Sequence, residues 1–313
     1  MAEVLVVGAG VIGLTTALVL QERGWSVEVW TKDDPADTVS AVAGAIWYPF
    51  LAQPRDRVLR WSAVTFQRLV SLARDAATGV RMQACIEVFA EQHPDLWWAS
   101  AAGGVERLPP ERVPAPYRAA IAVDVPVCEV PVYLPWLVAT LLARGGRLVR
   151  RELCGWDEAL ACAPLVVNCT GLGARELCDD RELQPVRGQV VVVEGTYAGP
   201  AWIDDTGAQP FYVIPRRNDI VLGGTAQVGD ARLAPDAGDT QAILDGIGVR
   251  VPNLHSASVR TVRVGLRPYR RTVRLEPEVR SDGRRLVHNY GHGGSGYTLA
   301  WGCAEEVARL LGR

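Results

Sequence analysis

One glycine-rich hexapeptide near the start of the chain limits the possible folds more than any other feature. Gly8-Ala9-Gly10-Val11-Ile12-Gly13 fits G-x-G-x-x-G, and its setting gives the pattern meaning. Before it, residues 3 to 8 form a short, β-branched apolar run of the kind found in a strand buried on both faces. After it, Val11 to Arg23 has helix-forming composition, with Gly24 placed as a C-terminal cap and a second strand at Val27 to Trp30. A strand, turn, helix and parallel strand in this order predict a βαβ unit. Gly8 then permits the tight turn, Gly10 lets a pyrophosphate approach the backbone, and Gly13 lets helix and strand pack closely. The helix N-terminus offers its free N–H groups to the anion. The motif predicts a bound dinucleotide without saying which.

The second strand runs into Val29-Trp30-Thr31-Lys32-Asp33, where an acidic residue would normally hold a ribose hydroxyl. Thr31 is neutral and Asp33 stands late. For Lys32 and Asp33, a ribose contact and ordinary solvated loop charges both stay open.

Composition narrows the partners. The chain has 313 residues, 49% of them hydrophobic and 22% charged, enough apolar material for a large α/β body or two interleaved domains. Lys and Arg number 33 against 35 Asp and Glu, a balance that gives no broad electrostatic reason to bind nucleic acid or an anionic membrane. No apolar run reaches the roughly 20 residues of a membrane helix. The seven scattered cysteines include no C-x-x-C pair and read as reduced thiols in a cytoplasmic protein. No metal site is expected. Lys32 is the sole lysine, which leaves Schiff-base chemistry one poor candidate.

Further helices are expected at Arg55 to Leu72 and at Trp136 to Ala143, the latter ended by Gly145-Gly146. Leu165 to Cys169 is another buried strand, leading into Thr170-Gly171. From Gly188 onward, short strands at Gln189–Val193, Phe211–Ile214, Ile220–Gly223, Val273–Val279 and Leu286–Tyr290 alternate with turns at Arg217-Asn218-Asp219 and Ser281-Asp282-Gly283. That half should be antiparallel. A last helix is expected at Thr298 to Leu311.

The stretch His288-Asn289-Tyr290-Gly291-His292-Gly293-Gly294-Ser295-Gly296-Tyr297-Thr298 creates a second glycine-rich helix start. A nicotinamide enzyme has no need of one. A flavoenzyme does, because a helix N-terminus stabilises the negative charge that a reduced flavin gains. His288 and His292 are four apart but not on a helix, and are expected to be satisfied structural histidines.

Six blocks now occur in one order across the whole chain: the opening Val-Val-Gly-Ala-Gly-Val-Ile-Gly-Leu, Ala43 to Phe50, Val167 to Gly171, Gln184 to Gln189, Gly265-Leu266-Arg267-Pro268, and His288 to Trp301. Together they resemble the D-amino-acid oxidases. The resemblance implies FAD, held noncovalently by a Rossmann-like α/β domain of residues 1–50, 140–187 and 273–313. That domain is interleaved with an α+β substrate domain of residues 51–139 and 188–272, built on an antiparallel sheet. Gly8, Ala9, Gly10, Val11, Ile12 and Gly13 look like the pyrophosphate turn, with Thr31 and Lys32 near the ribose and Leu153 at the adenine. Ala43, Gly44 and Ala45 resemble the stretch along the flavin; Gly171, Gly293, Gly296, Tyr297 and Thr298 complete the cofactor set. Arg267 matches the arginine that pairs the substrate carboxylate, Tyr212 its tyrosine partner, and Gly294 the carbonyl that accepts from the substrate amine. A planar, permanently charged guanidinium suits a carboxylate clamp.

Two positions depart from the family pattern. Animal members carry a second tyrosine where this chain has Ala208, and Lys32-Asp33 replaces their acidic-basic pair. The implied activity is oxidative deamination of neutral, mainly apolar D-amino acids to 2-oxo acids, ammonia and hydrogen peroxide, by hydride transfer from Cα to flavin N5 with molecular oxygen as second substrate. D-aspartate oxidase, glycine oxidase and, in another class, an NAD(P)-dependent dehydrogenase are the alternatives. A homodimer is compatible with this reading, and Arg216 and Arg217 are expected to lie exposed in a turn.

Overall fold

The computed structural model describes residues 2–280 and 283–312. In chain order its elements are β1 (Val4–Val7), α1 (Val11–Glu22), β2 (Val27–Thr31), α2 (Arg55–Leu72), β3 (Val80–Phe89), β4 (Glu106–Arg107) and β5 (Ala119–Cys128). Next come α3 (Val130–Ala143), β6 (Arg147–Arg150), α4 (Trp156–Cys162), β7 (Leu165–Asn168), α5 (Ala174–Leu177), β8 (Gln184–Glu194), β9 (Ala201–Asp204) and β10 (Phe211–Pro215). The chain closes with β11 (Asp219–Gly223), β12 (Gln227–Val228), α6 (Ala237–Arg250), β13 (Val259–Val279), β14 (Arg285–His292) and α7 (Gly296–Leu311).

The expected βαβ unit is present. β1 pairs in parallel with β2 in a register that sets Val4 against Val27, and with β7 on its other side. Every residue of β1 is buried, which accounts for its continuous apolar run. Helix α1 has almost no polar face because it is enclosed: it packs on the sheet and against α7 and α3. α2 lies against α7 and buries Val58, Trp61, Thr65 and Leu69, four of the residues its periodicity selects.

Among the described residues the strands form one 14-stranded sheet in the order β4-β5-β3-β9-β10-β11-β8-β13-β14-β7-β1-β2-β6, with β12 attached to β8. The end from β14 to β6 is parallel and the stretch β9-β10-β11-β8-β13-β14 is antiparallel. The two characters are joined by β13. Val259 to Tyr269 pairs with β8, and Tyr269 to Val279 pairs with β14 across a register shift. The expected strand at Val273–Val279 is therefore only the second part of a longer one. Its first part is hidden in the sequence by Arg260, Arg263 and Arg267, which break the period-two alternation, and by Pro268, which seldom sits within a strand.

Other differences have equally local causes. Helix α3 begins at Val130 rather than Trp136, with Pro131 in its first turn and Pro135 inside it; burial of Tyr133, Leu134 and Leu137 outweighs the single backbone bond that Pro135 removes. Strands β3 and β5, paired from Val80↔Cys128 to Phe89↔Ala119, fill a middle stretch whose Pro and Trp content concealed them. α6 was not foreseen. α7 starts at Gly296, before Thr298. The expected turn at Ser281-Asp282-Gly283 lies outside the described residues in its first two positions. All seven cysteines are free thiols, and among the described residues no helix is long and apolar enough to cross a membrane.

Candidate active site

A cavity of about 1110 Å³ opens at the carboxyl ends of β1, β2 and β7 and runs to the antiparallel face. Carboxyl ends of parallel strands are where open α/β sheets bind ligands. Its volume exceeds the roughly 300–1,000 Å³ typical of pockets for drug-sized ligands, a size that suits a dinucleotide. Gly8, Ala9, Gly10, Val11 and Ile12 line it, as do Thr31, Lys32, Leu153, Gly171, Ala43, Gly44, Ala45, Gly293, Gly296, Tyr297, Tyr212, Arg267 and Gly294. These residues come from eight separate segments of the chain, which the fold brings around one space.

Two of the expected residues do not line it. Gly13 faces inward, where a Cβ would stand 2.8 Å from the Gly8 carbonyl carbon; it serves the close packing of helix on strand. Thr298 commits its hydroxyl to the main chain of Tyr48, accepting from the N–H at 3.0 Å and donating to the carbonyl at 2.9 Å. Ser295 holds Phe50 in the same way, at 2.7 Å for both bonds. The start of α7 therefore fixes the segment that forms one wall.

That wall carries backbone strain. Ala45 and Leu51 adopt φ of 58° and 54°, left-handed conformations that residues with a Cβ seldom take and that concentrate at functional sites. The structure holds Ala45 there through a bond from the Cys128 N–H to its carbonyl at 2.9 Å and from the Trp47 N–H to Pro126 at 2.9 Å. Gly44 has no freedom either: a Cβ would meet Ile214 Cδ1 at 2.5 Å.

At the dinucleotide end, Ser40 Oγ accepts from the Val11 N–H at 3.0 Å, and Tyr297 Oη donates to the Ser40 carbonyl at 2.9 Å. The two glycine-rich helix starts are thus tied through one serine. Lys32 pairs with Glu152 at 2.6 Å and is largely exposed. Thr31 donates to the Asp33 carbonyl at 2.6 Å. Asp33, Asp37 and Glu152 also line this end, so its carboxylates come from the segments between strands rather than from the end of β2. Asn168 Oδ1 accepts from Thr170 N and Oγ1 at 3.1 and 2.8 Å, an Asx turn that shapes the entry to Gly171.

The other end is built on strand alternation. In β8, Arg187 and Gln189 point away from the cavity and pin the 227–240 segment, Arg187 with an ion pair to Asp239 at 2.7 Å. Gly188 between them faces the cavity, and its missing side chain makes room for the guanidinium of Arg267. Arg267 donates to the Thr225 carbonyl at 2.8 Å, and Thr225 is anchored by the Gln189 N–H at 2.9 Å. Among the described residues no carboxylate pairs with Arg267. The Tyr212 ring lies over Gly223 and Gly224, whose bare backbones admit it. Burial raises the Tyr212 hydroxyl above its ordinary pKa, and Arg267 pulls it down only in part, so it stays protonated at neutral pH.

The histidines divide. His288 is satisfied, with Nδ1 3.2 Å from Asn168 and Nε2 3.2 Å from Glu278. His292, also expected to be satisfied, lines the cavity with Nε2 buried and unpartnered. Burial pushes its pKa down to about 3, so it is a neutral imidazole. Asn289 Oδ1 is likewise buried, unpartnered and at the wall. Orphaned polar atoms, glycines that a Cβ would fill and an open helix N-terminus together fit a large polar ligand with an apolar ring. Arg216, expected to be exposed, is largely buried in a 2.6 Å pair with Asp219, because its turn packs back on the sheet.

Residues 3–310 match the family described as DAO: FAD dependent oxidoreductase. The chain belongs to this family. FAD is therefore its dinucleotide, and the nicotinamide alternative is removed. A D-amino-acid oxidase from Rubrobacter xylanophilus is 44% identical over 313 residues, covering 99% of this chain and 96% of the relative. A D-amino-acid oxidase from Streptomyces coelicolor is 42% identical over 98% of this chain and 96% of its own. A human D-aspartate oxidase is 35% identical over 99% and 94%. Among solved structures, glycine oxidase from Bacillus cereus superposes with a TM-score of 0.78 at 20% identity, covering 99% of this chain and 95% of that one. This last likeness shows the shared fold.

The sequence alone does not single out Tyr48, Phe50, Asp205, Ser40, Asn289 and His292 as site residues. Tyr48, Phe50, Asn289 and His292 at least fall inside the quoted blocks; Ser40 and Asp205 carry no signal.

Proposed function

We propose that this chain oxidises D-amino acids to imino acids, which hydrolyse to 2-oxo acids and ammonia, with a preference for neutral, mainly apolar side chains over acidic ones. The observation that carries the reading is Arg267, a guanidinium with no carboxylate partner among the described residues, set beside the protonated hydroxyl of Tyr212 in a cavity that also holds the FAD-binding glycines. We assign the parallel part of the sheet to FAD and the antiparallel part to substrate, with β13 delivering Arg267 from one to the other. The scattered cysteines fit a reducing, cytoplasmic setting.

Arg267 binds the substrate carboxylate in a planar, two-pronged contact, and Tyr212 donates one further hydrogen bond to it. The carbonyl of Gly294 accepts from the substrate amine. The clamp turns Cα toward the FAD part of the cavity and fixes which hydrogen leaves. The chemistry supplied by bound FAD is acceptance of a hydride from Cα and reoxidation by molecular oxygen to give hydrogen peroxide. No side chain needs to take a proton from Cα. Tyr212 stays protonated, and an imidazole held at about 3 does not retain a proton near neutral pH. The Gly294 carbonyl holds an amine that has already lost its proton.

Acidic substrates would need a second cation. Arg216 is paired with Asp219, and neither it nor Arg217 lines the cavity, which argues against a D-aspartate oxidase. Arg267→Leu tests the reading: peroxide production from D-alanine should fall by about 10²- to 10³-fold in kcat/KM, since an unpaired carboxylate away from water costs roughly 2–5 kcal/mol. Unchanged kinetics would remove Arg267 from the site.

A further inference from the structure

The antiparallel face carries an acidic feature that the oxidase chemistry does not use. Ile203 on β9 pairs with Tyr212 on β10 and with Glu87 on β3, so these three side chains project from one face of the sheet. Ile203 and Tyr212 line the cavity. Asp205 follows Ile203 by two positions, just past the end of β9, and also lines it. The loop 205–210 that follows is short and holds Ala208 at its exposed turn.

Tyr48 joins the two acids. Its Oη lies 2.7 Å from Glu87 Oε1 and 2.9 Å from Asp205 Oδ2. One hydroxyl hydrogen cannot serve two carboxylates, so one of the three groups must supply a second proton. Glu87 is the donor: it is only 3% exposed, and burial pushes its carboxyl up to about 8. The chain of donation then runs from Glu87 to Tyr48 to Asp205, and the negative charge rests on Asp205 at the cavity wall. The arrangement is rigid, because Thr298 grips the Tyr48 main chain on both sides. Among the described residues no lysine or arginine pairs with Asp205, and Glu87 Oε2 is a buried acceptor without a partner on the same sheet face. Phe50, Ile203 and Pro210 supply apolar walls beside it.

We propose that Asp205, held by Tyr48, determines specificity: it draws in D-amino acids whose side chain is an apolar stem ending in a cation, and turns away D-amino acids ending in a carboxylate. The class it adds to the neutral substrates is a D-diamino or guanidino acid, with methylenes against Phe50, Ile203 and Pro210 and its terminal charge at Asp205. This rests on the reading of Arg267 as the carboxylate clamp, which leaves the side chain to extend toward the β9 edge. Asp205 is solvent-exposed, so the effect is a moderate one, and it is screened by salt.

The test compares kcat/KM of the FAD-loaded protein for D-lysine, its uncharged counterpart D-norleucine, and D-glutamate, in the parent and in Asp205→Asn. The D-lysine to D-norleucine ratio should fall by about three- to tenfold in the variant, and the D-glutamate to D-norleucine ratio should rise at least about threefold. In the parent, the D-lysine to D-norleucine ratio should drop as sodium chloride is raised from about 50 to about 500 mM, a readout that needs no variant. Ratios that stay within about 1.5-fold in both experiments would overturn the assignment. A parent that fails to oxidise D-norleucine as well as D-alanine would instead sink the oxidase reading, leaving the two failures distinguishable.

Discussion

The guanidinium of Arg267 lies against the bare Cα of Gly188, so close that a methyl group placed there would stand 2.5 Å from Cζ. The two residues belong to paired strands, β8 and β13, and the missing side chain on one defines the position of the charge on the other. Gly188→Ala should therefore displace the clamp without unfolding the sheet. We expect KM for D-alanine to rise by at least about tenfold, corresponding to roughly 1.4 kcal/mol of lost binding, with flavin content unchanged. Steady-state kinetics beside an absorbance spectrum check this, and a parent-like KM would show that the guanidinium finds another seat.

Tyr212→Phe keeps the ring over Gly223 and Gly224 and deletes one hydrogen bond. Substrate binding should weaken by about 0.5–3 kcal/mol, while anaerobic flavin reduction under saturating D-alanine stays within about a hundredfold of the parent. Stopped-flow absorbance measures both. A loss of reduction rate beyond about 10⁴-fold, with substrate still bound, would mean that Tyr212 moves a proton.

Glu87 makes folding stability depend on pH. Its carboxyl is raised by burial to about 8 in the folded chain, against about 4.3 when unfolded. Between these values the folded state binds more protons than the unfolded state, so the contribution is fully present below about 4 and is lost as pH rises through 8. Relative to the parent, Glu87→Gln should become progressively more favourable from pH 5 to pH 9. Urea denaturation of both proteins at the two pH values gives the answer, and a constant difference would show that Glu87 titrates normally.

Gly10→Val places a branched side chain where a pyrophosphate must approach the N-terminus of α1, and where a Cβ already stands 2.9 Å from Ser40 Oγ. The protein should purify colourless with its fold retained, read by flavin absorbance and far-ultraviolet circular dichroism. A yellow Gly10→Val protein would place the phosphates elsewhere.

Much of this molecule is legible in one dimension because its causes are local. The burial of β1 on both faces writes an unbroken apolar run, and a strand-to-helix turn over a phosphate admits only glycine at Gly8 and Gly13. The enclosure of α1 writes a helix with no polar side. Those signals suffice for the cofactor and, through the ordered blocks, for picking out Arg267 and Tyr212 as residues that line the cavity. What they omit arises from distance along the chain. The sequence around Arg267 reads as a basic, proline-broken stretch, and only pairing with β8 makes it a strand. His292 looks like its neighbour His288, and only the tertiary packing gives one two partners and leaves the other's Nε2 without any. Glu87, Tyr48 and Asp205 carry no shared motif, because their meeting depends on the register of β3 against β9 and on two hydroxyls at the start of α7, those of Ser295 and Thr298, holding the segment of Tyr48 in place. Local sequence dictated which backbone could approach a nucleotide; long-range register decided which charges would face the cavity, since side chains far apart in the chain acquire a common surface only when the sheet is assembled.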